Sequence, residues 1–217
     1  MPTARDRARA ETTAAILAAA RRQLAEVGAA ALSLRSVARE VGMVSSAVYR
    51  YFPSRDDLLT TLIIEAYDAV GERAEGARRA GEPAREQWRS VWRAVRAWAL
   101  EHPAEYALIY GSPVPGYAAP QDTLPAAGRV GVVLVGIVVE HGAAAPDPGP
   151  EVAAAVAHDI LPGLDPTTAP AALAAWTQLF GTVGFEIFGQ YENVVLDRPA
   201  YFAHVADAAA TSVGLLG

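Results

Sequence analysis

The chain has no cysteine and no lysine; all 18 of its basic residues are arginine. Without cysteine there can be no disulfide framework and no thiolate metal site. Long hydrophobic runs are also missing. The longest, Val130 to Val139, is about half the length a membrane-spanning helix requires. The polar, arginine-bearing start lacks the apolar stretch of a secretory signal. These absences lead us to expect a soluble, cytoplasmic protein with no membrane partner. What is plentiful is alanine. It favours helix over sheet, and the slightly raised apolar content can bury a substantial core in one unit, or in a small domain joined to a larger one, within 217 residues.

Negative charge predominates overall, at −6, but unevenly. Residues 1–55 hold nine Arg against four acids, and the remainder holds nine Arg against twenty acids. A basic N-terminal quarter on an acidic body is the asymmetry expected when one end meets a polyanion.

Hydrophobic spacing predicts helices throughout. A first helix from about Arg7 to Val27 carries Ile16, Ala20, Leu24 and Val27 on one stripe, and Gly28 stops it. Ser33 N-caps a short second helix with Leu34, Val37, Ala38 and Val41 inward, ended by Gly42. A third runs from about Ser45 to Tyr51 and stops at Pro53. Ser54 and Asp57 resemble a capping box for a fourth, reaching about Arg79. Pro83 opens a fifth bearing Trp88, Val91, Trp92, Val95 and Trp98, and His102-Pro103 separates it from a shorter segment with Tyr106, Ile109 and Tyr110. Residues 111–125 read as loop. The run "VGVVLVGIVV" suits either a strand or a buried helix; we read it as helix because no partner strand is apparent. "GAAAPDPGP" is a candidate for disorder. Two more helices are expected, near Trp176 to Tyr191 and Arg198 to Val213. The fold class is all-α.

Two short helices joined by a glycine-containing turn have the geometry of a helix-turn-helix, whose second helix enters a DNA major groove. On a helical wheel, Met43, Val48 and Phe52 fall inward, and Ser45, Ser46, Ala47, Tyr49 and Arg50 outward. Small residues let the helix sit deep, hydroxyls can bond bases or phosphates, and the Tyr49 and Tyr51 hydroxyls with Arg50 can reach phosphates. Arg55 can clamp the flanking backbone, and Ser33 and Arg35 at the start of the second helix complete the DNA-binding candidates. Arg5, Arg7 and Arg9 read as a disordered, solubilising tail, the alternative being an arm that enters a minor groove.

"LSLRSVAREVGMVSSAVYRYFPSRDDLL" resembles the helix-turn-helix of TetR-type transcriptional regulators. The likeness rests on the Ala38/Gly42 spacing, the Tyr49/Phe52 pair, and Arg55 with Leu58, and covers roughly residues 12–62. Two positions depart from the pattern. Arg55 stands where the family usually has Lys, which preserves a phosphate contact. Val44 stands where Ser or Thr is frequent, so the cap is expected to pass to Ser45. The resemblance implies residues 1–53 as the DNA-binding domain and 54–217 as a larger helical ligand-binding and dimerisation domain, the final two helices forming a four-helix bundle in a homodimer. It further implies a repressor of a palindromic operator, released by a small apolar or aromatic effector, with the helix after Ser54 as lever.

The segment "HPAEYALIYGSPVPGYAAP" and Trp176 to Gly181 resemble the WHG subgroup, with Phe180 where its histidine is expected. Trp92, Tyr106, Tyr110, Trp176 and Phe180 are the candidates to line an effector pocket; an ordinary aromatic core is the alternative for each. No cofactor is implied. An enzyme or binding protein that kept the fold and lost operator recognition is the competing reading. His102, His141, His158 and His204 lack metal-ligand spacing, His158-Asp159 reads as solvent-exposed, Gly111-Ser-Pro is no nucleophile elbow, and "GRVGVVLVG" is no dinucleotide fingerprint. No catalytic constellation is found.

Overall fold

Glycine, proline and short polar caps punctuate the chain in the computed structural model, which describes residues 3–157 and 163–216. The order is α1 (Ala4–Ala31), α2 (Leu34–Glu40), α3 (Ser45–Val48), α4 (Arg55–Ala77), α5 (Ala84–Glu101), α6 (Pro103–Tyr110), a 3-10 turn (Gln121–Thr123), α7 (Leu124–Glu140), α8 (Pro150–Ala154), α9 (Ala169–Ile187) and α10 (Arg198–Ser212). Among the described residues there is no strand. The chain is all-α, and "VGVVLVGIVV" lies within α7.

The first helix starts earlier than its apolar stripe suggests. The Asp6 amide donates to Thr3 Oγ1 at 3.2 Å, and the Thr3 amide donates back to the Asp6 carboxylate at 2.9 Å. This reciprocal capping box makes Arg5, Arg7 and Arg9 helical, which corrects their reading as a disordered tail. Gly28 then breaks the helical path at φ 76°, ψ 167°.

The described chain forms two compact units. The first comprises Met1–Tyr67 and His102–Leu124, the second Asp68–Glu101 and Pro125–Gly217. Compactness therefore divides the chain within α4 and around α6. In the first unit, Ile16, Leu24, Val37, Val48, Phe52, Leu58 and Leu62 form a common core that Leu108 of α6 joins. Each such side chain contributes about 1.5–3 kcal/mol on burial. That core holds the short α2 and α3 in place, since helices of two turns or fewer have too few internal hydrogen bonds to stand alone.

In the second unit α5, α9 and α10 pack on one another. Trp88, Trp92, Val95, Leu179, Val183, Phe202 and Val205 are buried there. The Trp88 indole N–H donates to the Ala206 carbonyl at 3.1 Å. Charged clamps reinforce the packing. Arg96 holds the buried Glu186 carboxylate with two bonds of 2.7 and 2.6 Å, and Arg89 holds Asp207 with bonds of 2.6 and 2.9 Å. A buried carboxylate is tolerated when both oxygens are satisfied in this way.

The helix carrying the Val130–Val139 run is longer than the run. Gln121–Glu140 is long and apolar enough to cross a membrane by length and composition. Val130, Leu134, Ile137 and Val138 are buried within the second unit, so part of that apolarity serves internal packing. Residues 142–149 form no regular element. The Ala145 amide donates to Thr168 Oγ1 at 3.2 Å, and the Gly149 amide to Asp147 at 2.9 Å.

Candidate functional site

The turn between α2 and α3 is fixed by backbone chemistry. Gly42 adopts φ 69°, a left-handed conformation that costs glycine nothing and a branched residue much. Its amide donates to the Arg39 carbonyl at 3.2 Å, and the Met43 amide donates to the Ala38 carbonyl at 2.8 Å. These two bonds satisfy carbonyls that the end of α2 would otherwise strand, and they redirect the chain into α3.

Val44 occupies the N-cap of α3 in extended conformation, with no side-chain capping bond. The helix thus begins at Ser45, and the expected transfer of the cap to Ser45 does not occur. Ser33 is likewise the N-cap of α2 without a side-chain bond, half-buried, while Arg35 is exposed beside it.

Ser45, Ser46, Tyr49 and Arg50 are exposed on α3 and the turn that follows it. Two more of the DNA-binding candidates fall short of full exposure. Ala47 is only 8% exposed and packs inward beside Val48. Tyr51 is half-buried against the first unit's core, with the Arg9 guanidinium 5.1 Å from its ring centroid, a cation–π distance.

Arg55 is engaged within the chain. Its Nε donates to the Leu32 carbonyl at 3.1 Å, and its Nη2 to the carbonyls of Ala29 and Ala30 at 2.8 and 3.2 Å. The guanidinium ties the start of α4 to the end of α1, where unpaired carbonyls favour a cation. It serves here as an internal clamp.

The remaining arginines of this face are uncommitted. Arg35, Arg39 and Arg50 make no ion pair among the described residues, whereas Arg21 and Arg22 pair with Glu65 and Glu40 at 2.6 Å each. Three unpaired guanidinium groups beside two serines and a tyrosine supply the charge and hydrogen-bond donors that phosphate oxygens accept.

The aromatic candidates divide between the units. Tyr106 and Tyr110 belong to the first, their ring centroids 5.2 Å apart, with Tyr67 a further 5.7 Å from Tyr110. Burial, with the neighbouring Tyr67 and Tyr106, pushes the Tyr110 hydroxyl well above the usual phenol range. Trp92, Trp176 and Phe180 belong to the second unit. Trp92 is fully buried, and its indole N–H meets no acceptor among the described residues. Phe180 is buried with its ring 5.4 Å from that of Trp176.

Of the five, Trp176 alone lines the apolar cavity of the second unit. The cavity has a volume of about 560 Å³, inside the range of roughly 300–1,000 Å³ usual for small-molecule sites. Its walls include Trp88, Val132, Val135 and Leu173, and Arg78 and Glu140 form its polar end. Sequence reasoning missed Arg78 and the glycines of α7 as site residues. The signal for them was the glycine spacing, Gly128, Gly131 and Gly136, within an otherwise bulky apolar run.

No group of three or more His, Asp or Glu side chains suited to a metal occurs among the described residues. His141 bonds the buried Gln87 at 3.2 Å, and His102 stands at the N-cap position of α6, its Nδ1 3.0 Å from Glu105. His158 and Asp159 lie outside the described residues.

A glycine-turned helix pair on a packed three-helix support, with an arginine-rich outer face, defines a helix-turn-helix DNA-binding protein. Comparison with known proteins narrows that class. Residues 88–209 match the family described as "Tetracyclin repressor-like, C-terminal domain", and residues 16–62 match "Bacterial regulatory proteins, tetR family". The chain belongs to the TetR family of transcriptional regulators. The HTH-type transcriptional regulator Rv1816 of Mycobacterium tuberculosis is 40% identical over 207 residues, which cover 88% of this chain and 87% of that protein. Mb1846 of Mycobacterium bovis, described in the same words, matches to the same extent. The crystal structure of SCO4313 is 31% identical, covers 97% of this chain and 100% of its own, and superposes with a TM-score of 0.84. A TetR variant from Acinetobacter baumannii, solved in complex with minocycline, shares the fold at 16% identity and a TM-score of 0.57, over 90% and 92% of the two chains.

Proposed function

We propose that this regulator is a repressor that binds a palindromic operator as a homodimer and is released by a small, largely apolar molecule held in the second unit. The observation that carries the DNA-binding face is the unpaired set Arg35, Arg39 and Arg50 around Ser45, Ser46 and Tyr49. In this reading residues 1–53 meet DNA, and 54–217 sense and dimerise. The serines lie close enough to base edges to bond them, while the arginines and Tyr49 hold phosphates and set the register. The protein acts in the cytoplasm and by binding alone. We also assign its C-terminal domain to the WHG type, with Phe180 at the histidine position.

Exposed apolar side chains on the last two helices support the dimer. Phe185, Phe188 and Tyr201 are 54%, 46% and 41% exposed, and Phe185, Tyr191 and Tyr201 form a ladder of edge-on rings spaced 5.7 and 5.6 Å. A second copy covering this face would give two reading heads, for which half-sites one helical turn apart, about 34–36 Å, are the natural target. The effector need only prefer the non-binding arrangement; a hundredfold preference, about 2.7 kcal/mol, empties most of an operator. Helix α4, which contributes to both units, is the lever.

The test is a footprint on the DNA upstream of the protein's own coding region, followed by a salt titration of binding. A protected palindrome whose affinity falls steeply with salt supports the reading. Absence of any site above the non-specific background would support the competing reading, a protein that keeps the fold without operator recognition.

A further inference from the structure

The polar end of the cavity says what its occupant must be like. Arg78 reaches it from the end of α4, with its Nε donating to the buried Gln87 at 3.2 Å and its Nη2 paired to Glu140. Gln87 is itself fully buried, and its amide donates to the Glu82 carbonyl at 2.8 Å. The guanidinium is therefore held on two sides. Its Nη1 makes no hydrogen bond among the described residues. Gly136 gives that nitrogen its place: a Cβ there would lie 2.9 Å from Nη1.

The remaining cavity wall is apolar. Trp176 packs along Gly131, where an added Cβ would meet the indole at 3.8 Å, and Trp88, Val132, Val135 and Leu173 complete the surface. Arg78 Nη1, a donor at the end of a largely apolar chamber, asks for an acceptor on an apolar body. The charge at that end is already balanced. A carboxylate brought to Nη1 would lie beside Glu140, and an ammonium would lie beside Arg78, so either loses more solvation than it regains. A neutral carbonyl or hydroxyl oxygen meets no such penalty.

We infer that the cavity binds an uncharged amphiphile, whose apolar chain or ring lies between Trp88 and Trp176 and whose terminal carbonyl or hydroxyl oxygen accepts a hydrogen bond from Arg78 Nη1. This rests on the effector reading of the same cavity and supplies its ligand class. Arg78 sets the head group, Glu140 excludes anions, and Gly136 leaves room for the contact.

Calorimetric and tryptophan-fluorescence titrations of the full-length protein with 2-undecanone, undecanoate and undecylamine test it. The ketone is expected to bind one per chain, and both charged probes about tenfold more weakly or worse, the loss appropriate to one hydrogen bond or one unfavourable charge contact. Arg78→Met should weaken the ketone about tenfold. Glu140→Gln, at a half-exposed position, should strengthen undecanoate at least about fivefold relative to the ketone. Undecanoate binding as tightly as the ketone overturns the assignment, as does ketone affinity unchanged in Arg78→Met, or no binding by any probe. Operator release separates the two readings. Arg78-dependent ketone binding that leaves DNA affinity unchanged upholds the head-group assignment and refutes the effector role. Ketone that weakens DNA binding equally in Arg78→Met does the reverse.

Discussion

Nine arginines lie within residues 1–55 and nine beyond, and the two sets are engaged differently. In the first unit ion pairs involve Arg21, Arg22 and Arg55, and Arg5, Arg7, Arg35, Arg39 and Arg50 have none among the described residues. In the second unit Arg73, Arg78, Arg85, Arg89, Arg96, Arg129 and Arg198 are paired, and Arg79 and Arg93 have no ion pair among the described residues. One guanidinium chemistry thus serves two purposes. Where the carboxylates are supplied internally, arginine fastens helix to helix. Where they are withheld, the positive field points outward and awaits an external anion. A solvated arginine costs the fold little, so the free set is available for binding and contributes almost nothing to stability.

The comparison is sharpest at its exception. Arg55 belongs to the basic end but is engaged like the arginines of the second unit. Arg55→Ala should strand the carbonyls of Ala29, Ala30 and Leu32 and destabilise the protein by about 2–3 kcal/mol, read as a lower denaturant midpoint. An unchanged midpoint would return Arg55 to the pool of phosphate contacts. Arg50→Ala should behave oppositely. Operator affinity is expected to fall by about 1–2 kcal/mol, with the slope of log affinity against log salt shallower by about two, one for each head of the dimer, and the midpoint should stay where it was. A stability loss comparable to that of Arg55→Ala would erase the distinction.

A smaller effect is expected at Asp207, where hydrogen bonds from Arg89 hold the carboxyl below its usual range. The stability this lends is fully present above the unfolded value of 3.8 and is lost as pH falls through the lower folded value. Asp207→Asn should therefore cost about 1 kcal/mol near neutrality, a discounted figure because both partners are partly exposed, and the gap from the parent should close below about pH 4. A gap that persists at about pH 2 would show that packing, not charge, is responsible. The smallest effect is expected at Arg93, in the second unit and without an ion pair among the described residues. Arg93→Ala should shift neither stability nor DNA affinity by more than about 0.5 kcal/mol.

Most of the helices were legible because glycine and proline mark their ends. Gly42 announces the turn of the helix-turn-helix, and Leu34, Val37 and Ala38 form a stripe that the core then buries. A wheel drawn on α3 is less informative, since four residues are too few to average out a local bend; Ala47 turns inward. Arg55 could not be assigned from sequence, because its carbonyl partners lie 23 to 26 positions earlier. The aromatic candidates fail as a set for a related reason. Tyr106 and Tyr110 follow Trp92 closely in the chain, but the break at His102-Pro103 sends them into a different unit. The tail arginines are helical through Thr3 and Asp6, a capping pair whose three-residue spacing was there to be read.

The account rests on the free arginines meeting phosphate, and the salt dependence of operator binding measures that most directly. With Arg35, Arg39 and Arg50 engaged on each of two heads, log affinity should fall with log salt at a slope of about −5. In the Arg35→Ala, Arg50→Ala double variant the slope should flatten to about −2 with thermal stability unchanged. A slope near zero in the parent protein, or one that the double variant leaves unaltered, would contradict the account.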